Sequence, residues 1–366
     1  MDATGKRVTR YHSFKGTKKD AQAKLVSLME AARTGTYVDP SKATLGDFLD
    51  RWERDWAALN VTPKTLEVYR DLLKNVRPTL GPLPIQKLTP AHLAALYASL
   101  LRDGRRLRGN RAVAGLSPRT VGHVHRVLHK ALAVAMEWGV TFRNVASVAT
   151  PPKVPDTEVE IIDDDQARLV LQRLRGRALY MIALMGLTTG MRRGELLALR
   201  WRDVDLDGAS LRVEQSLEQT KSGLRFKEPK TKHGRRTIGL AASVVAELRS
   251  HRKLQQEQRL RLGMGKIPED GLVLSKWDGS PRSPNSTTKE WTRAVKELNL
   301  PKISLHALRH THASQLIASG MDVLTISRRL GHGSPMITLG VYGHRFKNTD
   351  DRAVQAMEAA YGRVTE

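Results

Sequence analysis

At 366 residues the chain is long enough for two or three domains with cores of their own, and its lack of any cysteine excludes disulfide scaffolds, thiolate zinc sites and cysteine nucleophiles while fitting a reducing, cytosolic setting. Lysine and arginine number 61 against 37 acidic residues, a formal charge of +24 spread along the chain, which suits a polyanionic partner, most simply nucleic acid. The opening MDATGKRVTRYHSFKGTKKD has no apolar stretch, and the longest apolar run, Ala178 to Met191, is too short for a bilayer and lies between Arg177 and Arg192, so neither a secretory signal nor a membrane span is expected.

Residues 1–43 are basic and place Ala21, Leu25, Leu28 and Met29 at helical spacing, which predicts one helix after a strand, an arm with too little apolar material for a core. From Thr44 to Thr150 four segments read as helices: TLGDFLDRWERDW, TPKTLEVYRDLLKNV, TPAHLAALYASLL and SPRTVGHVHRVLHKALAVAMEWG. Three of them open with Thr or Ser beside Pro, a capped and pre-shaped helix start. In the last, Val121, Val124, Leu128, Ala131, Leu132 and Ala135 form an apolar stripe. Arg119, His123, Arg126 and Lys130 recur on another face, which suits either DNA phosphates or plain solvent. The proline-rich stretch ATPPKVPDTEVEIIDDD then marks a linker at residues 151–160. Its Asp163, Asp164 and Asp165 precede an apolar-periodic segment and read as a helix cap rather than a metal cluster.

Residues 161–366 read as a helix at DDQARLVLQRLRG, a second over ALYMIALMGLTTGMRRGELLAL, and short strands around ASLRVEQSL and GRRTIGL. Helices then run to the end: SVVAELRSHRKLQQEQRLRLG, NSTTKEWTRAVKELN, SLHALRHTHASQLIASG, DVLTISRRLGH and DDRAVQAMEAAYG. The expected fold class is mainly α with one small antiparallel β-sheet, an α+β arrangement.

Several common chemistries lack their signatures. There is no GxxxxGK[ST] loop, since the nearest approach, GMGKI, has Ile267 where a hydroxyl is needed; GxGxxG after a strand and HExxH are also missing. In TTGMRRGELLALRW, Arg192 and Arg193 follow a helix-ending glycine, and Glu195 lies one turn past Arg192. An arginine braced by a carboxylate is a preorganised fork for phosphate, although the same pair is common on protein surfaces. KEPKTKHGRRTIGL is a basic turn entering a strand, where Lys227, Lys230 or Lys232 can donate a proton or simply touch a phosphate backbone. In ISLHALRHTHASQLIASG, Leu305, Leu308, His312 and Leu316 share one helical side, with His306, Arg309 and His310 on a neighbouring one. His306 and His310 have metal-ligand spacing but no third ligand nearby. RRLGHGSPMITLGVYGH adds His332 on a Gly-flanked turn, and Tyr342. Together these are the parts needed to cut a phosphodiester with a protein nucleophile. Arg192 and Arg309 would clamp the non-bridging oxygens and His306 and His332 would add hydrogen bonds. The Tyr342 hydroxyl would attack once a base or cationic site had taken its proton, and Lys230 is the candidate acid for the leaving sugar oxygen.

TGMRRGELLALRW, HALRHTHASQLIASG and LGHGSPMITLGVYGH resemble the boxes of the tyrosine recombinases, and the chain from about Thr44 onward is similar to a bacteriophage or genomic-island integrase of that family. The resemblance implies that Arg192 and Arg309 bind phosphate, Glu195 supports them, His306 and His332 are the two histidines, and Tyr342 forms a 3′-phosphotyrosyl link with no ATP, metal or other cofactor. Lys230 matches the β-turn lysine best, with Lys227 and Lys232 close enough that spacing does not separate them. Residues 44–150 would be a helical, SAM-like core-binding domain that clamps DNA together with a catalytic domain at 161–366, and Arg193 and Lys232 would add DNA contacts. The last helix resembles the segment that docks on a neighbouring protomer in a recombining tetramer. Residues 1–43 resemble only the final strand and helix of a three-stranded arm-binding domain, which implies a remnant of it, from a truncated chain or one whose true start lies upstream. The implied partners are double-stranded attachment sites, a homotetramer and a DNA-bending accessory protein or excisionase, in the cytoplasm of a bacterial host at the nucleoid, with no membrane. An Xer-like dimer resolvase shares the chemistry, but the arm remnant favours an integrase. A catalytically silent DNA-binding regulator would not need the full set of groups. Within the histidine-rich helix, His306 and Arg309 are expected to face the scissile phosphate, and His310 and His312 to pack or to support those groups from behind.

Overall fold

Thr17, Thr44, Thr62, Thr89 and Ser117 each sit in extended backbone and accept the backbone N–H three residues on, while Pro63, Pro90 and Pro118 occupy first helical turns, where no N–H is needed. The computed structural model describes residues 13–34, 37–104, 115–155, 159–229, 232–343 and 349–361. The caps start α1 (Lys18–Arg33), α2 (Leu45–Trp52), which runs through a π-helical turn at Glu53–Ala57 into α3 (Ala58–Asn60), then α4 (Pro63–Leu73), α6 (Pro90–Asp103) and α7 (Pro118–Glu137), with the short α5 (Arg77–Leu80) between α4 and α6. The chain divides into two compact units, Met1–Asp156 and Thr157–Glu366.

In the first unit the apolar stripe of α7 is buried with Leu45, Phe48, Leu49 and Trp52 of α2 and with Leu93, Leu96 and Leu100 of α6. Each such side chain contributes roughly 1.5–3 kcal/mol when fully buried. Trp52 lies between the rings of Trp56 and Tyr69, at 5.8 and 5.7 Å. The opposite face of α7, with Arg119, His123, Arg126 and Lys130, is exposed. Helix α1 forms but buries none of its residues, with Val26 and Met29 66% and 64% exposed, so it adds nothing to this core. The strand expected before it falls in residues 1–12, outside the described residues.

In the second unit Asp163 caps α8 (Asp164–Leu174), its carboxylate accepting the Gln166 N–H at 2.8 Å, with Asp164 and Asp165 in the first turn. Helix α9 (Tyr180–Thr189) is apolar all round and correspondingly buried from Met181 to Leu187. The stretch 178–199 was expected as helix, with a glycine ending its apolar part. Gly190, with φ of 64°, does close α9 in the left-handed conformation, and α10 (Arg193–Leu196) restarts as a separate helix after Arg192 in extended backbone.

The one expected sheet is two. The strands β1 (Val204–Asp205), β2 (Ser210–Val213) and β5 (Arg236–Gly239) pair antiparallel in the order β1-β2-β5, with Leu211 opposite Ile238. A separate hairpin joins β3 (Ser216–Thr220) to β4 (Gly223–Lys227). The split falls at Gln215, whose amide donates to the Ala198 carbonyl at 2.8 Å between the two ladders. There follow α11 (Ala242–Arg261), α12 (Pro284–Glu297), α13 (Leu305–Ala318), α14 (Val323–Leu330), α15 (Pro335–Tyr342) and α16 (Thr349–Tyr361). A main core gathers around α9 and α13, and a smaller one holds Ala313, Ile317, Ile326, Leu330 and Tyr342. The class is mainly α with small antiparallel β, 59% helical. No helix among the described residues is long and apolar enough to cross a membrane.

Candidate active site

Arg309, on α13, is 3% exposed and has no carboxylate partner among its hydrogen bonds. Its Nη1 donates to Gly190 O at 2.6 Å and its Nη2 to Leu330 O at 2.7 Å. These are the closing carbonyls of α9 and α14, the negative ends of two helix dipoles. Burial and the nearby Arg192 charge push its pKa down to about 9, which leaves it cationic at neutral pH.

Arg192 donates through Nη1 to Glu195 Oε1 at 2.8 Å and through Nη2 to Gly331 O at 3.1 Å, with its side chain 41% exposed. Glu195 is buried, and its Oε2 also accepts the Arg192 backbone N–H and Arg236 Nη2, at 3.0 and 2.8 Å. Burial acts to raise this carboxyl, but the Arg236 and Arg192 charges and hydrogen bonds outweigh it and hold the pKa below its ordinary value. The brace expected from the spacing of Arg192 and Glu195 is thus made, with a third member that sequence reasoning missed. Arg236 also donates through Nε to Arg329 O, at 2.7 Å. The signal available was strand alternation, which puts Arg236 on the same face of β5 as the buried Ile238.

His332 shares a 2.8 Å hydrogen bond between Nδ1 and Thr338 Oγ1, and burial with the charges of Arg309, Arg192 and Arg236 pushes it down to about 4. Partial burial of the His306 ring, with Arg309, Arg192 and Arg193 near it, holds His306 below its ordinary value too. Tyr342 ends α15, a helix started by Ser334 and Pro335 in a stretch for which the sequence pattern gave no element. The residue is 1% exposed, and burial pushes its hydroxyl up to about 12 against the pull of Arg309. Its Oη lies 2.6 Å from His310 Nδ1, whose ring meets that of His306 edge-on at 4.6 Å. His310, expected to pack or to support the site from behind, touches the hydroxyl itself. His312 does pack, with Nδ1 donating to Leu187 O at 2.8 Å and Nε2 accepting from Arg329 Nε at 3.1 Å.

The structure therefore brings together Arg192, Glu195, His306, Arg309, His332 and Tyr342. Lys230 lies outside the described residues, as does the Lys232 side chain, and Lys227 is ion-paired with Glu218 on the hairpin. Arg193 is half-buried and donates to Thr288 on α12. In the first unit, Arg126 Nη2 donates to His123 Nδ1 at 2.9 Å and Lys130 Nζ sits 4.8 Å from the centre of the Trp56 ring. Among the described residues no three His, Asp or Glu side chains are grouped to hold a metal. Three arginines with one carboxylate among them, their N–H donors fixed, leave an excess of positive charge that can stabilise a phosphoryl transition state whose charge sits on non-bridging oxygens.

A family model described as "Phage integrase family" matches residues 159–349, just over half the chain, and "Phage integrase, N-terminal SAM-like domain" matches residues 44–101. The "Tyrosine recombinase XerC-like" protein of Caldanaerobacter subterraneus subsp. tengcongensis is 27% identical over 97% of this chain and 93% of its own. An "Integrase" of Streptomyces ambofaciens is 28% identical over 99% and 92%. The Tn1549 transposon integrase, solved in complex with a circular intermediate DNA, shares the fold at a TM-score of 0.71 and 21% identity over 85% of this chain and 99% of that one. The class is that of the enzymes that break and rejoin DNA at specific sites. Within it, the chain belongs to the phage integrase family and is an integrase, a site-specific recombinase of the tyrosine type.

Proposed function

We propose that the chain cuts and rejoins the attachment sites of a mobile element through a 3′-phosphotyrosyl link on Tyr342. The buried Tyr342 hydroxyl, within reach of the Arg309 charge and hydrogen-bonded to His310, close to a His332 ring on which Arg309, Arg192 and Arg236 all act, is the observation that supports this reading most. Arg192 and Arg309 clamp the scissile phosphate, Glu195 keeps Arg192 in place, and His306 and His332 add hydrogen bonds as charge develops. The Tyr342 oxygen bonds to phosphorus, the bond from phosphorus to the 5′-oxygen breaks, and a lysine of the turn before β5, Lys230 or Lys232, supplies the proton to the leaving oxygen. A 5′-hydroxyl of the partner duplex reverses the step, so no ATP is consumed.

Residues 44–150 act as the core-binding domain, with the exposed Arg119, His123, Arg126 and Lys130 along the phosphates, and residues 161–366 form the catalytic domain. Val354, Met357 and Tyr361 of α16 lie exposed one to two turns apart, which supports docking on a neighbouring protomer of a homotetramer. A DNA-bending protein or excisionase completes the complex in the host cytoplasm. The test is trapping in EDTA. The protein and its Tyr342→Phe variant are incubated with nicked duplexes covering the ends of the element that encodes the chain. A denaturation-resistant adduct with the tyrosine and none with phenylalanine is the expected result. An adduct that survives the substitution, or none from the parent protein at any end, overturns the reading.

A further inference from the structure

The step above leaves the proton of Tyr342 without a destination. A buried phenol with its pKa pushed up to about 12 does not ionise by itself at neutral pH, and a base has to lie within hydrogen-bond reach of it. His332 directs Nδ1 to Thr338, 2.8 Å away, and Glu195 is taken up by Arg192 and Arg236. The His306 ring meets that of His310 edge-on. Of these groups it is His310 that shares a hydrogen bond with the Tyr342 Oη, 2.6 Å from its Nδ1.

We propose that His310 is a further catalytic residue of this recombinase: its Nδ1 accepts the Tyr342 proton as the oxygen bonds to phosphorus, and returns it when the link is resolved. The inference rests on Tyr342 being the nucleophile. As the bond from oxygen to phosphorus forms, the phenol O–H breaks and its proton passes to Nδ1, so the imidazole, carrying its own proton on Nε2, becomes an imidazolium. The bond to the 5′-oxygen breaks at the same phosphorus, and that oxygen is protonated from the lysine side. Resolution runs both transfers backwards. The groups that act on His310 are His306 and Arg309 from its own helix, Tyr342 from α15, and His332 from the turn between α14 and α15. Burial and the neighbouring His306 and Arg309 hold the ring neutral before DNA arrives, which leaves Nδ1 free to accept. A bound phosphate brings negative charge into the same pocket and makes the imidazole more basic as the proton moves. The place of His310 in the chain fits this role. It follows Arg309 directly, so α13 aims the clamp at two helix ends and the base at α15.

The test is the single-turnover rate of adduct formation for the parent protein, His310→Ala and His310→Asn. Nicked duplexes from the element's ends carry either the natural 5′-oxygen or a bridging sulfur at the scissile bond, between pH 6 and 9, and duplex binding is followed by gel shift. Sulfur leaves without an acid, so it restores a reaction that lacks the lysine and does nothing for one that lacks the base. The expected result is unchanged binding and a rate lower by about 10²–10⁴ in both variants. That rate climbs steadily with pH as hydroxide replaces the base, and sulfur does not rescue it. Asparagine keeps a polar group against Tyr342, so its loss of rate is not a loss of fold. Variants that cleave at the parent rate, or faster because His310 merely restrains the tyrosine, overturn the inference, as does rescue by sulfur. No adduct from the parent protein, or one that persists in Tyr342→Phe, overturns the Tyr342 reading itself.

Discussion

His312 uses both ring nitrogens inside the fold, so a second proton would have to sit on Nε2 against the Arg329 guanidinium. Burial and that charge push its pKa down to about 4. The unfolded chain, with an ordinary histidine near 6.5, takes up the proton first as pH falls. The stability from this neutral, buried ring is therefore complete above about pH 6.5 and is lost between there and about pH 4, a shift on the order of 3 kcal/mol. His310 and His332 act in the same direction. Urea unfolding of the full chain, read from the buried Trp201 and Trp291, is expected to show a midpoint that drops from pH 7 to pH 5, and His312→Gln, less stable at pH 7, should drop less. An unchanged midpoint would contradict it. At this scale the sequence showed what is local. Arg192 and Glu195 are one helical turn apart, and their pairing follows from that. Arg236 reaches the same carboxylate from 41 residues away, and His310 meets Tyr342 across 32, so neither contact has a trace in local spacing.

Helix starts were legible because Ser or Thr beside Pro states its own geometry, and the glycine before Arg192 read as a helix end, whereas the separate restart as α10 beyond the break left no mark in the apolar pattern. Gly190 makes that break, and its environment shows why no side chain belongs there. A Cβ would lie 2.6 Å from His312 Cδ2 and 2.9 Å from Leu330 Cδ2, on backbone with positive φ. Gly190→Ala is expected to lower stability by about 2–4 kcal/mol, the sum of left-handed strain and overpacking, and to displace the carbonyl that Arg309 grips. Gly176, also at positive φ but with nothing within 4 Å of its added Cβ, supplies the control: Gly176→Ala should cost only about 1–2 kcal/mol and leave cleavage intact. Thermal melts and adduct yields of the two variants check this, and equal losses would show that the crowding at Gly190 is unimportant. The division of the β-segment into two sheets was equally out of reach, because nothing in the local pattern marks the break at Glu214 and Gln215 between β2 and β3.

Across the whole molecule, the formal charge of +24 anticipated a polyanionic partner before any motif did. If the exposed face of α7 follows phosphates, each contact releases counterions. Arg119→Ala, Arg126→Ala and Lys130→Ala should each weaken binding to any duplex and flatten the dependence of log affinity on log salt by about 1. Anisotropy titrations between about 50 and 200 mM salt measure that slope; an unaltered slope would remove this face from the interface. The way Arg309 is held has a different reach. Its two partners are main-chain oxygens, which every amino acid possesses, so replacing the side chains that carry them leaves the acceptors in place. What inheritance has to preserve is the path of the backbone, and that narrows to the left-handed turns at Gly190 and Gly331 and to the arginine itself. The chain can drift far in sequence around this site and keep its grip on a phosphate, provided a few glycines do not change.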